Sequence, residues 1–271
     1  MFTPGGIIAL TTDFQADSFY VAEMKVAAHQ IARDAMIVDV THAIPPQDVK
    51  QASWTLLRAL EAFPEGTVHV CVVDPGVGTQ RKILAAIIHG QAVIGPDNGL
   101  FDVIASRYHV AAAIELNNEV YFGPRRSHTF HGRDIMVPVA AHLVRGIPLE
   151  SLGDAVDPPS VPEEAKARIF AQRKGNEIHG QFIYADSFGN YVTNIFADDI
   201  PEDWDRWQLR IESDSFSADG IVSTYGEREP GTPVALMGSS GQLECAVVQG
   251  NAAQKYGIEA GNAVKIVRVN T

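Results

Sequence analysis

Short apolar runs alternate with longer amphipathic stretches along the first half of the chain. A short apolar run predicts a buried strand, whereas apolar residues that recur every third or fourth position predict a helix. The strands predicted in this way are 7–10, 36–40, 68–73, 83–88, 92–95 and 111–116, and the helices are 19–33, 49–63 and 133–145. Because strands that alternate with helices are typical of βαβ units, the pattern predicts a Rossmann-like α/β domain with a mainly parallel sheet.

The pattern of apolar positions changes in the second half of the chain. Residues 154–175 contain three prolines and many charges but no apolar period, which indicates a linker. Beyond it, short alternating runs broken by Gly, Pro and Asp predict the strands of a smaller all-β domain. The expected organisation is an α/β domain at 1–155, a linker at 156–175 and a C-terminal β domain at 176–271.

Composition narrows the possible partners and the compartment. The 271 residues are 46% hydrophobic, and 33 acidic residues against 21 Lys and Arg give a net charge of -12, which argues against nucleic acid or an anionic membrane as a partner. The two cysteines, Cys71 and Cys245, lie in apolar runs, which favours buried thiols over a disulfide or a metal pair. No apolar run approaches the roughly 20 residues of a membrane span, and the N-terminus lacks the basic segment of a signal peptide. We therefore expect a soluble cytoplasmic protein.

Three of the predicted strands are followed by an aspartate: Asp13, Asp74 and Asp97. The carboxyl ends of parallel strands meet at one edge of a sheet, and ligands of open α/β sheets bind at that edge. One such aspartate alone would often be only a helix cap. A Pro-Gly-Val-Gly loop follows Asp74 and leads to Arg81, and these two charges belong either to a solvated turn or to a site. The three aspartates together favour the site.

The stretch RRSHTFHGRD, residues 125–134, contains side chains of the types that bind zinc. His128, His131 and Asp134 could serve as ligands. Their spacing is not that of a strong zinc signature, and Gly132 and Asp134 could instead cap the helix that follows. We therefore predict no metal at this position.

Six short stretches, taken in their order along the chain, resemble one family. They are TTDF, VVDPGVGTQR, GPDNG, TFHGRD, DSFGNYVTN and SSGQLECAV, and the match runs from Ile7 to about Val267. Each fragment alone is weak, but the ordered set resembles the S-adenosylmethionine (SAM) hydroxide adenosyltransferases, the SAM hydrolases that are related to fluorinase and chlorinase. The resemblance implies an N-terminal α/β domain, a C-terminal β domain and a homotrimer. In such a trimer each active site lies between the N-domain of one subunit and the C-domain of the next.

The resemblance also implies a reaction. In this family water or hydroxide attacks ribose C5′ of SAM, methionine leaves as a neutral thioether, and adenosine forms. SAM is the substrate, and neither a metal nor another cofactor is implied because the sulfonium is already an activated leaving group. The Asp-Arg-His set that holds the water falls on Asp74, Arg81 and His131. The loop after Asp74 would then fold Arg81 back beside it.

The same resemblance assigns substrate contacts. Asp13 matches the aspartate that binds both ribose hydroxyls, and Asp186 and Asn190 match a turn that contacts the methionine ammonium and the adenine edge, although hairpin chemistry alone could also explain that turn. The remaining positions are Ser239 and Ser240 for the methionine carboxylate, Tyr225 for stacking on adenine, and Phe130 and the backbone of Gly250–Ala252 as lining. Tyr225 could instead be a core aromatic of the β domain.

Two departures from the family pattern concern the methionine end of the site. Gln15 stands where the family usually has glycine, so either Asp17 or Ser18 could take the second acidic position. Val26 stands where glycine is common in the first helix.

Two other functions compete with hydrolysis. A halide adenosyltransferase would run the same displacement, but fluorinase and chlorinase lack the Asp-Arg-His set, and fluorinase has a long insertion after the position of Arg81. A non-catalytic adenosine- or SAM-binding protein would need only Asp13, Asp186 and Tyr225. The complete set of Asp74, Arg81 and His131 favours the hydrolase.

Overall fold

A computed structural model describes residues 2–202, 204 and 208–269, and the chain divides into two compact units, Met1–Val161 and Pro162–Thr271. The segment predicted as a linker, 156–175, contains a helix at Glu163–Ile169 and a strand at Gln172–Lys174. No residue of that helix is buried, and the strand is exposed throughout. Regular structure that buries so little has no apolar period, which is why the sequence pattern did not reveal it.

The first unit is a mixed α/β structure. Its strands are β1 (Ile7–Thr12), β2 (Met36–Thr41), β3 (Val68–Val72), β4 (Ile83–Ile88), β5 (Gln91–Pro96), β6 (Val110–Leu116) and β7 (Gly153–Ala155). Its helices are α1 (Phe19–Ile31), α2 (Val49–Ala62), α3 (Asp102–Arg107) and α4 (Val137–Val144), the last preceded by a π-helical turn at Gly132–Met136. The strands and helices predicted for this half are confirmed to within a few residues, and α3 and β7 are additional.

The strand order of the first sheet is β2-β1-β3-β5-β4-β6-β7. The pairs among β2, β1, β3 and β5 are parallel, whereas β4 is antiparallel to both of its neighbours, and β7 is antiparallel to β6. The reversal arises at the two-residue turn between β4 and β5, where His89 and Gly90 both have positive φ, 50° and 71°, as a tight hairpin requires. The sheet is therefore mixed. Its parallel part consists of β2, β1, β3 and β5, so β1 and β3 lie side by side and point in the same direction.

Burial explains why these segments form their elements. All five residues of β3, the sequence VHVCV, are buried, as expected for a strand covered on both faces of a sheet. Helices α1 and α4 pack on each other beside the main apolar core, and α2 packs against α3, β1 and β3. The side chains of Ser18 and Asp48 cap α1 and α2 by accepting backbone hydrogen bonds. These caps lie in the loops that follow β1 and β2.

The second unit is built on an antiparallel sheet, which agrees with the all-β domain that the sequence predicts. Its elements are α5 (Glu163–Ile169), β8 (Gln172–Lys174), β9 (Glu177–Ala185), β10 (Tyr191–Phe196), β11 (Gln208–Glu212), β12 (Ser217–Asp219), β13 (Pro233–Met237), β14 (Gln242–Val247), α6 (Ala252–Tyr256) and β15 (Ala263–Val269). The strand order is β12-β11-β15-β9-β10-β14-β13, with β8 also paired to β9. Val222, just after β12, bridges to Leu236 in β13, so the sheet curls almost into a barrel.

Both cysteines are free and buried, as predicted. Burial raises the pKa of each thiol far above its ordinary value, so neither forms a thiolate near neutral pH. None of the helices in the described part of the chain has the length and hydrophobicity of a membrane-spanning segment.

Candidate active site

Asp74 and Arg81 form a nearly buried ion pair at the carboxyl end of β3. Arg81 Nε donates to both Asp74 oxygens at 2.9 Å, and Arg81 Nη2 donates a further bond to Oδ2. The two side chains are only 4% and 10% exposed. A charge-assisted pair of this kind is strongly oriented, and burial keeps it from being screened by solvent.

The loop between the two residues brings them together. Its turns are closed by hydrogen bonds from Val77 N to Asp74 O and from Thr79 N to Gly76 O, at 3.2 and 3.1 Å. Gly78 has a φ of 78°, and a side chain on it would collide with the carbonyl of His128. The glycine therefore lets this loop pass directly against the segment that carries His131.

His131 completes a row of three polar side chains. Arg81 Nη2 lies 2.8 Å from His131 Nδ1. Because a guanidinium can only donate, Nδ1 is the acceptor, and the proton of the neutral ring is carried by Nε2. Burial and the positive charge of Arg81 lower the pKa of His131, although Asp74 and Asp134 act in the opposite direction. At neutral pH the ring is therefore uncharged.

Asp74 and His131 line a cavity of about 460 Å³ within the first unit, together with Asp13. Asp13 follows β1, and its Oδ2 accepts a hydrogen bond of 2.8 Å from the backbone N of Gln47. The parallel pairing of β1 with β3 brings the ends of these two strands side by side. Two of the three aspartates predicted at this edge are thus gathered around one cavity.

The third aspartate is not part of this cavity. Asp97 is exposed at the end of β5 and is absent from the described residues that line the cavity. Its neighbour Asn98 instead donates from Nδ2 to the carbonyl of Val73 at 3.0 Å. This bond joins the end of β5 to the end of β3, directly before Asp74. The role of Asn98 is therefore structural.

Three aromatic rings cover one side of the cavity. Phe14, Tyr20 and Phe130 pack edge to face, with ring centroids 5.1 to 5.7 Å apart. Phe130 was predicted as lining, whereas Phe14 and Tyr20 were not singled out by the sequence. These rings give the cavity an apolar side next to its polar residues Asp13, Asp74 and His131.

The residues weighed as zinc ligands do not come together. Asp134 is paired with Arg133, whose Nε donates at 2.6 Å, and it also accepts from the backbone N of Ser127 at 2.7 Å. Nowhere in 2–202, 204 and 208–269 do three or more His, Cys, Asp or Glu side chains form a group that could hold a metal ion. Asp134 instead anchors the loop that precedes the π-helical turn.

The altered loop after Asp13 has a clear geometry. Gln15 has a φ of 71°, a conformation that glycine adopts without strain, which explains why a glycine would suit this position. Ser18 caps α1 by accepting from Tyr20 N at 3.3 Å, and Asp17 is exposed. Neither Asp17 nor Ser18 is among the described residues that line the cavity.

Four of the predicted substrate contacts of the second unit line a separate hollow of about 710 Å³. Its lining includes Asp186, Asn190, Tyr225 and Ser239. Asp186 organises the β9–β10 hairpin by accepting from the backbone N of Phe188 and of Asn190, each at 2.9 Å. The Asn190 amide donates to Asp186 Oδ2 at 3.1 Å. The hairpin interpretation and the binding interpretation of Asp186 are therefore compatible.

Glu244 is a lining residue of this hollow that the sequence analysis did not single out. Tyr225 donates its hydroxyl to Glu244 Oε2 at 2.9 Å, and burial together with this carboxylate raises the pKa of Tyr225 to about 12. A side chain at Gly238 would overlap the Glu244 carboxylate, so the glycine leaves room for it. The only earlier sign was the position of Glu244 within SSGQLECAV, as an acid in a buried strand. Tyr225 is 39% exposed, so it is not a core aromatic.

Two predicted contacts lie away from this lining. Ala252 is fully buried at the start of α6, and Ser240 has a buried hydroxyl for which the described residues provide no hydrogen-bond partner. The roles predicted for them in substrate binding remain predictions. Phe188, at the tip of the hairpin, lines the hollow and is 76% exposed.

Comparison with known proteins adds independent information. The models of the N-terminal and C-terminal domains of SAM hydroxide adenosyltransferases match residues 8–153 and 180–265. The (R)-S-adenosyl-L-methionine hydrolase of Thermus thermophilus is 36% identical, covering 94% of this chain and 97% of that protein. A fluorinase from an Actinoplanes species is 26% identical over 97% of both chains. A solved structure of a conserved Thermotoga maritima protein, described as uncharacterized, is 34% identical with a TM-score of 0.87 and covers 96% of this chain and 100% of its own.

Proposed function

Because this chain belongs to the SAM hydroxide adenosyltransferase family, we propose that it hydrolyses S-adenosyl-L-methionine to adenosine and L-methionine. The observation that supports the proposal is the Asp74–Arg81–His131 row, of which Asp74 and His131 line a cavity together with Asp13. In the proposal this row holds one water molecule, and Asp13 binds the ribose beside it.

The proposed step is a displacement at ribose C5′. The oxygen of water or hydroxide forms a bond to C5′ while the bond between C5′ and sulfur breaks, and sulfur takes the electron pair and leaves as the neutral thioether of methionine. The sulfonium is already an activated leaving group, so the step calls for neither a metal nor a second cofactor. Holding the nucleophile in line can supply about 7–11 kcal/mol of the barrier reduction.

We assign the three residues different tasks. Arg81 places a positive charge next to the nucleophile, which favours hydroxide over water. Asp74 Oδ1 accepts a single bond from Arg81, so it keeps a lone pair for the proton that the water gives up on its way to solvent. His131, with its proton on Nε2, orients the nucleophile as a donor. A positioned base of this kind contributes about 10²–10⁴-fold.

Asp13 is proposed to bind the ribose hydroxyls, since a carboxylate can accept from both. The hollow of the second unit is proposed to bind the adenine and methionine ends. It is lined by two carboxylates, Asp186 and Glu244, and within the described part of the chain by no Lys or Arg. This charge suits the cationic ammonium of the substrate, and Tyr225 offers an aromatic surface for adenine.

Each unit holds only part of this proposed set of contacts. We propose that the protein is a homotrimer in which the N-terminal unit of one subunit and the C-terminal unit of its neighbour complete each site. The support is the family assignment and the division of the polar residues between two cavities.

The test is to incubate the purified protein with SAM and to separate the products by chromatography. Adenosine and L-methionine, formed at the same rate with and without EDTA, support hydrolysis. A halide adenosyltransferase would give a 5′-halogenated nucleoside when halide is added, and a pure binding protein would return intact SAM. The lower identity to fluorinase, 26% against 36% for the hydrolase, favours hydrolysis.

A further inference from the structure

A second row of polar side chains lies near Asp13 and joins the loop after β1 to the loop after β2. Lys25 Nζ lies 2.6 Å from Asp39 Oδ2, and His42 Nε2 lies 3.0 Å from Asp39 Oδ1. The other ring nitrogen, His42 Nδ1, lies 3.0 Å from Thr12 Oγ1. Thr12 is the last residue of β1 and directly precedes Asp13.

The order of hydroxyl, imidazole and carboxylate is that of a nucleophilic triad, but this row cannot act as one. Thr12 is fully buried, and its hydroxyl oxygen already accepts a hydrogen bond from the backbone N of Phe14 at 3.2 Å. A nucleophile must reach its substrate, and this hydroxyl does not. The row therefore acts on the protein itself.

The bond between His42 Nδ1 and Thr12 Oγ1 is the side-chain hydrogen bond that joins the imidazole to the loop after β1. The Thr12 oxygen also accepts from Phe14 N, and its hydroxyl proton can be donated to Nδ1 when that nitrogen is unprotonated. His42 Nε2 lies within ion-pair distance of Asp39 but without the geometry of a hydrogen bond.

Backbone hydrogen bonds also join the two loops at this point. Gln15 N donates to the carbonyl of His42 at 2.8 Å, and Ile44 N donates to the Thr12 carbonyl at 3.4 Å. Gln47, near the end of the second loop, donates its backbone N–H to Asp13 Oδ2. Gln15 and Gln47 both have positive φ, 71° and 66°, an unfavourable conformation for glutamine that surrounding bonds must maintain.

We propose that His42 is a positioning residue that sets the orientation of Asp13, acting through Thr12 on one loop and through the backbone leading to Gln47 on the other. This inference rests on the proposed role of Asp13 in binding ribose. His42 is not among the described residues that line the cavity. Replacing the His42 side chain therefore changes the orientation of the Asp13 carboxylate and leaves the Asp74–Arg81–His131 row intact.

The experiment uses the full chain with His42→Gln and, as a milder change, Thr12→Val, which keeps the shape and removes only the hydroxyl. His69→Gln is the matched control, because His69 is likewise buried and has one side-chain bond of 2.7 Å, to Gln91, but lies at the amino end of β3, away from the loops after β1 and β2. Both test variants should raise KM for SAM by about three- to tenfold and leave kcat within about twofold, as expected for one lost hydrogen bond that is used in binding. His69→Gln should lower thermal stability without changing KM.

A double-mutant cycle with Asp13→Asn separates positioning from a general loss of structure. If His42 acts through Asp13, Thr12→Val and His42→Gln should raise KM by less than about twofold in the Asp13→Asn background. Equal increases in both backgrounds, or a KM increase in the His69→Gln control as large as in the test variants, would overturn the proposal.

Calorimetric titration with adenosine distinguishes the failure of this inference from the failure of the proposed function. A wild-type protein that binds adenosine but does not consume SAM contradicts the hydrolase proposal alone, and the same cycle is then scored on the adenosine Kd. Adenosine binding that does not depend on Asp13 contradicts the positioning role directly, as does a wild-type protein that binds no adenosine.

Discussion

Arg81 Nη2 donates a hydrogen bond of 2.8 Å to His131 Nδ1, and this contact determines where the proton of the imidazole lies. The bond exists only while Nδ1 is unprotonated. A protonated ring would place an N–H opposite another N–H and a positive charge beside the guanidinium. The row at the cavity wall is therefore intact in one protonation state of His131 and broken in the other.

The first prediction concerns pH. Burial and Arg81 lower the pKa of His131 below its ordinary 6.5, so the ring is neutral through the neutral range and gains a proton only under acidic conditions. The value of kcat should stay level down to about pH 6.5 and fall below it, at a pH lower than a solvent-exposed histidine would give. A pH–rate profile measured at saturating SAM checks this.

Stability should change in the same direction. The unfolded chain binds the proton near pH 6.5 and the folded chain only at lower pH, so acidification below that value lowers the free energy of unfolding. The variant His131→Asn keeps an acceptor for Arg81 but does not titrate. The residual kcat of this variant should not fall below pH 6.5 in the way that the wild-type kcat does. If it falls in the same way, a group other than His131 causes the decrease.

The second prediction concerns the shape of the guanidinium. Arg81→Lys keeps the positive charge but cannot bond to both Asp74 oxygens and to His131 at once. We expect kcat to fall by about two orders of magnitude with SAM binding retained, because the nucleophile loses its alignment. Single-turnover kinetics with calorimetric binding measures the two effects separately.

Arg133→Lys is the control for this variant. Arg133 is also partly buried and also bonded to a carboxylate, Asp134, but it does not line the cavity among the described residues. It should lower the melting temperature and change kcat by less than about tenfold. If Arg133→Lys lowered kcat as much as Arg81→Lys does, the loss would come from disturbing a buried arginine–carboxylate pair and not from the position of Arg81 beside the nucleophile.

The third prediction concerns Tyr225. Its pKa of about 12 keeps the hydroxyl protonated, and it donates to Glu244. Tyr225→Phe removes that bond but keeps the ring, so KM for SAM should rise by about three- to tenfold, whereas Tyr225→Leu should raise it further because the aromatic surface is also lost. If both variants have the KM of wild type, Tyr225 does not contact the substrate.

The fourth prediction concerns assembly. If each site is completed by two subunits, Asp74→Ala and Asp186→Ala inactivate different halves of it. Dissociating the two inactive proteins, mixing them and reassembling them should restore part of the activity, since some sites then combine two wild-type halves. Mixed assemblies confirmed by mass spectrometry that remain inactive would show that the site lies within one chain.

The positions of the strands could be predicted from the sequence, but their directions could not, for a physical reason. The apolar pattern of β3 and the aspartate after it are local features, so the strand and the position of Asp74 were predicted correctly. The direction of β4 was not predicted, because it depends on a two-residue turn with positive φ at His89 and Gly90. Local patterns describe what a segment buries and not which way it runs.

The contacts between individual side chains were harder to predict from the sequence than the strands. Arg81 and His131 lie 50 residues apart, and only the fold shows that Nδ1 accepts from the guanidinium. The sequence signal for Glu244 was only an acid in a predicted strand, and that for His42 only a histidine after one, and both are common in any sheet. Their partners, Tyr225 and Thr12, are 19 and 30 residues away.

The proposed reaction requires a water-derived oxygen to attack ribose C5′ of SAM. A turnover in water enriched in oxygen-18, followed by mass spectrometry of the adenosine, measures this step. We expect one heavy oxygen in each adenosine, located at the 5′ hydroxyl, and unlabelled L-methionine as the second product. Intact SAM, a 5′-halogenated nucleoside or adenosine without the label would rule out attack by water.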